Sequence, residues 1–258
     1  MPADWLVPDW PLPAGLGAAC SVRTGGVSAG PYGSLNLGDH VGDDPAAVAE
    51  NRRRFERAIG ARPVFLQQVH SDAVASLDAK TLDGTVADAC WTAQRGVACT
   101  VMVADCLPVL FADTQERCVA AAHAGWRGLA GTAGRGVLEA LWDAWWPQLA
   151  SSPQEAASRT LVWLGPCIGP DAFEVGGEVK AAFEAVAPWA AQRFRPQGVK
   201  WLADLQGLAR DRLAALGLAR IHGNDGSGAW CTVQQDSRFF SHRRDRVSGR
   251  FAAAVWLG

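Results

Sequence analysis

Short, unbroken apolar runs alternate with longer amphipathic stretches along this chain. The run at 98–104 is apolar and rich in β-branched residues, and predicts a buried strand. Residues 108–112 predict a second strand, ended by Asp113, and residues 118–122 a third. Asp113-Thr114-Gln115-Glu116 between them has turn chemistry, so the last two read as a hairpin. After Gly128 the apolar positions take helical spacing from 129 to 146, with Pro147 as the expected stop. Residues 160–164 predict another strand, broken by Gly165-Pro166. Helices are expected over 178–186 and 203–216, the second stopped by Gly217, and a final strand over 251–256. The elements alternate irregularly and include an antiparallel pair, which points to a mixed-sheet α/β sandwich and away from a regular parallel barrel.

Length and composition narrow the architecture. A chain of 258 residues holds one large domain or two small ones at ~150 residues per domain. No repeat, low-complexity tract or linker divides it, and Ser151-Ser152-Pro153-Gln154 is too short to do so; the expectation is a single domain over 1–258. Hydrophobic residues make up 49% and charged residues 19%, which excludes a disordered chain. A net charge of -2 gives no support for a nucleic-acid or anionic-membrane partner. The first residues lack the basic and apolar regions of a secretory signal, and no apolar run reaches the ~20 residues of a membrane span. Seven irregularly spaced cysteines, an odd number, suit a reduced cytoplasmic protein.

Three residues that carry chemistry fall at expected strand ends: His70 after the apolar run at 64–69, Cys106 after 98–104 and His123 after 118–122. They are far apart in sequence, so only the fold can unite them. United, two imidazoles and a thiolate make a zinc set with a fourth position open to water or substrate. The residues alone leave another reading, in which Cys106 is a core thiol and both histidines are structural. Gly125, Gly128 and Gly131 surround Arg127 at a strand-to-helix junction, where backbone N–H groups and a guanidinium could hold a phosphate; the glycines equally suit a tight turn. The glycine-rich 25–38 segment reads as pocket-lining loops. The basic, aromatic 239–245 segment reads either as a nucleotide-facing loop or as a surface turn. Cys90, Cys99 and Cys167 fit no site and read as structural.

At these residues the chain resembles the YfiH-type laccase-domain family. The resemblance is carried by Gln67-Gln68-Val69-His70-Ser71, Ala104-Asp105-Cys106-Leu107-Pro108 and Ala122-His123-Ala124-Gly125-Trp126-Arg127-Gly128. Leu35-Asn36-Leu37-Gly38, Gly165-Pro166-Cys167-Ile168-Gly169-Pro170 and Ser241-His242-Arg243-Arg244-Asp245 extend it from about residue 21 to the C-terminus. It implies a single α/β domain with zinc on His70, Cys106 and His123. It also implies phosphorolysis of adenosine, inosine and methylthioadenosine, with adenosine deamination as a further activity, so that the partners are a purine nucleoside and phosphate.

The same resemblance carries two other readings, a hydrolase editing peptidoglycan precursors and a copper-dependent polyphenol oxidase. Five histidines without a His-x-His pair are too few for a multi-ion copper centre, although one copper could replace zinc. Within the nucleoside reading, Arg127 is the candidate phosphate group. Asp105, beside Cys106, is the candidate for a supporting or proton-carrying carboxylate.

Overall fold

The computed structural model describes residues 1–258. Thirteen strands form three sheets. In chain order they are β1 (Leu16–Cys20), β2 (Arg62–Phe65), β3 (Val74–Ser76), β4 (Ala89–Thr92), β5 (Val97–Val103), β6 (Leu107–Asp113) and β7 (Val119–Ala124). They continue with β8 (Thr160–Leu164), β9 (Glu174–Val175), β10 (Phe194–Gln197), β11 (Lys200–Ala203), β12 (Ile221–Gly223) and β13 (Phe251–Leu257). The central sheet has six strands in the order β12-β8-β6-β7-β4-β3, a second has four in the order β1-β13-β5-β2, and β10-β11-β9 form a small antiparallel sheet. Both larger sheets mix directions: β6 runs antiparallel to β7 and β8, whereas β12 lies parallel to β8 and β2 parallel to β5.

The central sheet is buried on both faces because its strands alternate between two cores. Leu110, Ala112, Val119, Ala121, Leu161 and Trp163 face the core shared with the four-stranded sheet. Their neighbours Val109, Phe111, Ala120, Ala122, Val162 and Leu164 face a second core. Side chains that point to opposite faces at every step explain why these strands are apolar throughout. The helices are α1 (Pro45–Ile59), α2 (Trp126–Ala130), α3 (Val137–Leu149), α4 (Pro153–Arg159), α5 (Gly177–Glu184), α6 (Leu205–Ala215) and α7 (His242–Asp245), and α3 and α6 close the second core through Leu141, Trp145, Leu208 and Leu213. On the other side, helix α1 (Pro45–Ile59) inserts Phe55 between Trp5 and Phe65. The result is the mixed-sheet α/β sandwich expected from the sequence, and no helix is long and apolar enough to cross a membrane.

The strands expected at 98–104, 108–112, 118–122, 160–164 and 251–256 are β5, β6, β7, β8 and β13, within two residues at each end. The expected hairpin is the β6–β7 pair. The helix expected over 129–146 is broken in two. A short helix, Trp126–Ala130, ends at Gly131, whose φ is +64°, and α3 begins only at Val137. Ala133 and Gly134 also have positive φ, which no helical turn tolerates. Pro147 lies inside α3, where its missing N–H falls in the last turn. The expected helices at 178–186 and 203–216 appear as Gly177–Glu184 and α6, the latter capped by Asp204 accepting from Gly207 N–H.

Candidate metal centre

Three backbone segments converge at one end of the two larger sheets. His70 sits in the loop after β2, Cys106 in the tight link between β5 and β6, and His123 near the end of β7. The fold brings the three together: one donor atom from each lies within 4.8 Å of the other two. Cys106 Sγ is 3.7 Å from His70 Nε2, and the two imidazole rings meet edge to face at 4.8 Å between centroids. Two donors on one tetrahedral zinc, at about 2.05 and 2.3 Å, stand about 3.6 Å apart, so the Cys106–His70 pair matches zinc ligation and the donor types suit the ion.

A buried carboxylate that sequence reading missed organises this arrangement. Asp88, just before β4, accepts hydrogen bonds from the Val69, His70 and Ser71 backbone N–H groups at 3.1, 2.9 and 2.7 Å. It also accepts from the Ser71 hydroxyl at 2.9 Å and pairs with His123 Nδ1 at 2.9 Å. The first set fixes the loop in which His70 holds a left-handed φ of +62°. The last bond engages Nδ1 and leaves Nε2 of His123 for the cluster. Burial alone would raise the Asp88 carboxyl. The hydrogen bonds from His123 and Ser71 and the imidazolium charge outweigh it and hold the group down at about 2.

Cys106 and His123 form a coupled pair when no metal is bound. Burial opposes ionisation of the thiol, but the His123 charge and hydrogen bonds from both histidines draw it down to about 6. Burial likewise opposes the His123 charge, and the thiolate and Asp88 lift that imidazole to about 9. At neutral pH the pair is therefore thiolate and imidazolium, and uptake of a divalent ion must displace the His123 proton. The other six cysteines are buried, so labelling reports Cys106. Metal-free protein is expected to react with iodoacetamide along a pH curve centred at about 6, with thiolate and rate rising above that point, and zinc is expected to block the reaction. A midpoint near the usual thiol value of about 8.5 would show that the pairing is absent.

Gly125 completes the site by what it lacks. Its φ of -67° suits any residue. A Cβ there would nevertheless lie 2.7 Å from His70 Cδ2 and 3.0 Å from Cys106 Sγ.

The trio opens into a cavity of about 270 Å³ whose wall also carries Gln68, His40, His242 and Arg250, and no carboxylate. Four of the five histidines of the chain thus face one space, although only His70 and His123 approach Cys106 closely enough to share an ion. A second cavity, of about 320 Å³, adjoins through His40 and Gln68. The Gln68 amide is held in a two-bond clasp with the Met102 backbone, at 2.8 Å in each direction, so it serves as a wall.

Arg127 lines a different cavity, shared with His70, Ser71 and Arg135, and its guanidinium stacks on Trp126 at 4.4 Å. Asp105, at φ +95°, turns away from the trio: it accepts from the Thr232 hydroxyl and the Arg243 N–H, both at 2.6 Å. The carboxylate ties the Cys106 turn to the 232–243 region. Cys167 is buried against Cys231, Gln206 and Asn224, away from the cavity wall.

Known proteins match nearly the whole chain in sequence and in fold. A purine nucleoside phosphorylase of Pseudomonas aeruginosa is 50% identical over 98% of this chain and 98% of that protein. Purine nucleoside phosphorylase YfiH of Escherichia coli is 47% identical, with 98% of each chain covered. Among solved structures, a Neisseria meningitidis protein superposes with a TM-score of 0.88 at 45% identity, covering 98% of this chain and 99% of the other. YlmD from Geobacillus stearothermophilus superposes with a TM-score of 0.85 at 31% identity, covering 98% and 96%. The profile described as multi-copper polyphenol oxidoreductase laccase matches residues 17–258, and the chain belongs to that family.

Proposed function

We propose that this protein is a zinc-dependent purine nucleoside phosphorylase that cleaves adenosine, inosine and methylthioadenosine with phosphate and also deaminates adenosine. The observation that carries the reading is the His70, Cys106 and His123 cluster on the wall of a cavity free of carboxylates. Relatives named purine nucleoside phosphorylase, at 50% and 47% identity over nearly the full length, support it.

His70, Cys106 and His123 would hold the zinc. Bound there, zinc supplies a Lewis acid and lowers the pKa of water, the chemistry that deamination of an aminopurine calls for. The chain's own residues prepare the site. Asp88 fixes the His123 tautomer and the His70 loop, and Asp105 braces the Cys106 turn in a positioning role. In phosphorolysis a C1′–O bond to phosphate forms as the C1′–N bond breaks. The electron pair stays on the purine, which takes up a proton. That reaction needs an anion site beside the sugar and stabilisation of the charge that develops. A wall carrying His40, His242 and Arg250 and lacking carboxylates suits it. The phosphate role expected of Arg127 is not part of this proposal, because Arg127 lines another cavity.

We further propose that residues 1–258 form one domain, since the central sheet belongs to both cores. A cytoplasmic location belongs to the same proposal, and the seven unpaired thiols support it.

The test is incubation of zinc-loaded, copper-free protein with adenosine, with and without phosphate, followed by chromatography. Adenine that forms only with phosphate, together with inosine, supports the proposal. Adenosine left intact in both arms defeats it. The family description raises a copper reading, and the same donors accept copper. A single His/Cys cluster cannot assemble several ions, so phenol oxidation is expected only after copper is added. Strong oxidation by copper-free protein would contradict the proposal.

A further inference from the structure

Arg250 lies on the cavity wall with the metal trio, and its protein partners are all neutral. Its three protein hydrogen bonds leave from Nη1 and end on the Ser248 carbonyl, the Ser248 hydroxyl and the Gly249 carbonyl, at 2.9, 3.5 and 3.1 Å. Nε and Nη2, the two N–H groups along one edge of the guanidinium, are left without protein partners. Elsewhere in this molecule that edge grips an oxyanion. Arg159 forks onto Asp113 through Nε and Nη2 at 3.1 and 2.7 Å, and Arg193 onto Asp211 at 2.6 and 2.7 Å. The planar fork matches carboxylate or phosphate oxygens side-on, which a lysine cannot do.

Arg250 is also held in place. Its backbone N–H donates to Asn36 Oδ1 at 2.8 Å, and its carbonyl accepts from Leu37 N–H at 3.0 Å. Asn36 is fully buried and folds back onto Gly38, accepting from its N–H and donating to its carbonyl. A Cβ on Gly38 would lie 2.8 Å from Arg250 Cγ, so the side-chain stem rests on the space that glycine leaves. The Leu35-Asn36-Leu37-Gly38 segment is thus a clamp that delivers one arginine to the cavity.

We infer that Arg250, clamped by Asn36 and Gly38, anchors phosphate in the metal cavity through Nε and Nη2. The identity of the anion rests on the phosphorolysis reading above; the anion site itself does not.

The experiment titrates inorganic phosphate calorimetrically into zinc-loaded protein and measures the KM values for phosphate and adenosine separately. Loss of a bidentate charged contact in Arg250→Lys or Arg250→Ala is expected to weaken phosphate binding and raise its KM by roughly tenfold to a hundredfold. Zinc content and the adenosine KM should hold. Gly38→Ala, which keeps the guanidinium but displaces its stem, should move phosphate binding in the same direction. Arg127→Ala should leave it unchanged. Unaltered phosphate affinity in Arg250→Ala, a parallel loss of zinc, or no phosphate binding by the parent protein would each overturn the inference. Phosphate held through Arg250 by a protein that cleaves no nucleoside would sustain the anchor and defeat the phosphorolysis reading. Phosphate-dependent cleavage indifferent to Arg250 would do the reverse.

Discussion

Asp88→Asn is expected to unfold far more easily than the parent and to lose most of its zinc affinity. Five donors converge on the Asp88 carboxylate: three backbone N–H groups, the Ser71 hydroxyl and His123 Nδ1. An amide offers one oxygen and one NH₂. Whichever way it turns, the NH₂ faces buried groups that also donate. If it faces His123, that ring must accept at Nδ1 and carry its proton on Nε2, where it can no longer bind a metal. Breaking one member of a buried charged network costs about 3–5 kcal/mol, and losing the group that orients a metal ligand costs about 10–100-fold in metal affinity. Denaturant unfolding and zinc titration measure the two effects. Asp88 also has a pH signature. Its folded-state pKa is depressed to about 2, so its stabilisation is present above the ordinary carboxylate range and is lost as pH falls toward that value. The Asp88→Asn variant should lack this acid limb. Equal stability and zinc affinity in parent and variant would show that Asp88 does not organise the site.

Gly125→Ala should separate site from fold. The backbone conformation tolerates alanine, so the sheet should survive and the denaturation midpoint should change little. The added methyl presses on His70 Cδ2 and Cys106 Sγ and must push apart two of the three donors. A misplacement of about 1 Å in a catalytic group costs about 100-fold in rate, and that loss is expected together with reduced zinc content. Circular dichroism should match the parent. A variant with full activity would mean that the trio is not the site.

The strands were legible because burial on both faces makes them continuously apolar, and β6, β7 and β8 all have that character. Helix α1 is hidden in the sequence: Glu50 to Arg54 is an unbroken polar run with Arg52, Arg53 and Arg54 in succession, and the helix is anchored chiefly by Val48, Phe55 and Ile59. The run from 129 to 146 kept helical spacing in its apolar residues, but Gly131, Ala133 and Gly134 adopt backbone angles that break it, and spacing does not record them. The metal trio is readable because two imidazoles and a thiol beside apolar runs are conspicuous, although β2 stops at Phe65 and His70 lies in the following loop rather than at a strand end. Asp88 was not, because its partners at 69–71 and 123 lie 17 to 35 residues away and meet only in the fold. Gly125 looked like a turn residue, yet its role is steric and depends on two side chains distant in sequence. The Leu35-Asn36-Leu37-Gly38 segment was visible as a motif, but its contact with Arg250 joins opposite ends of the chain.

In the proposed enzyme, His70, Cys106 and His123 together hold the ion on which activity depends. Elemental analysis of zinc-loaded parent and Cys106→Ala protein, purified identically and checked for a common fold, tests it most directly. About one zinc per chain is expected in the parent and a large loss in the variant, since two imidazoles alone hold zinc far more weakly than two imidazoles and a thiolate. Full zinc occupancy in Cys106→Ala would contradict it.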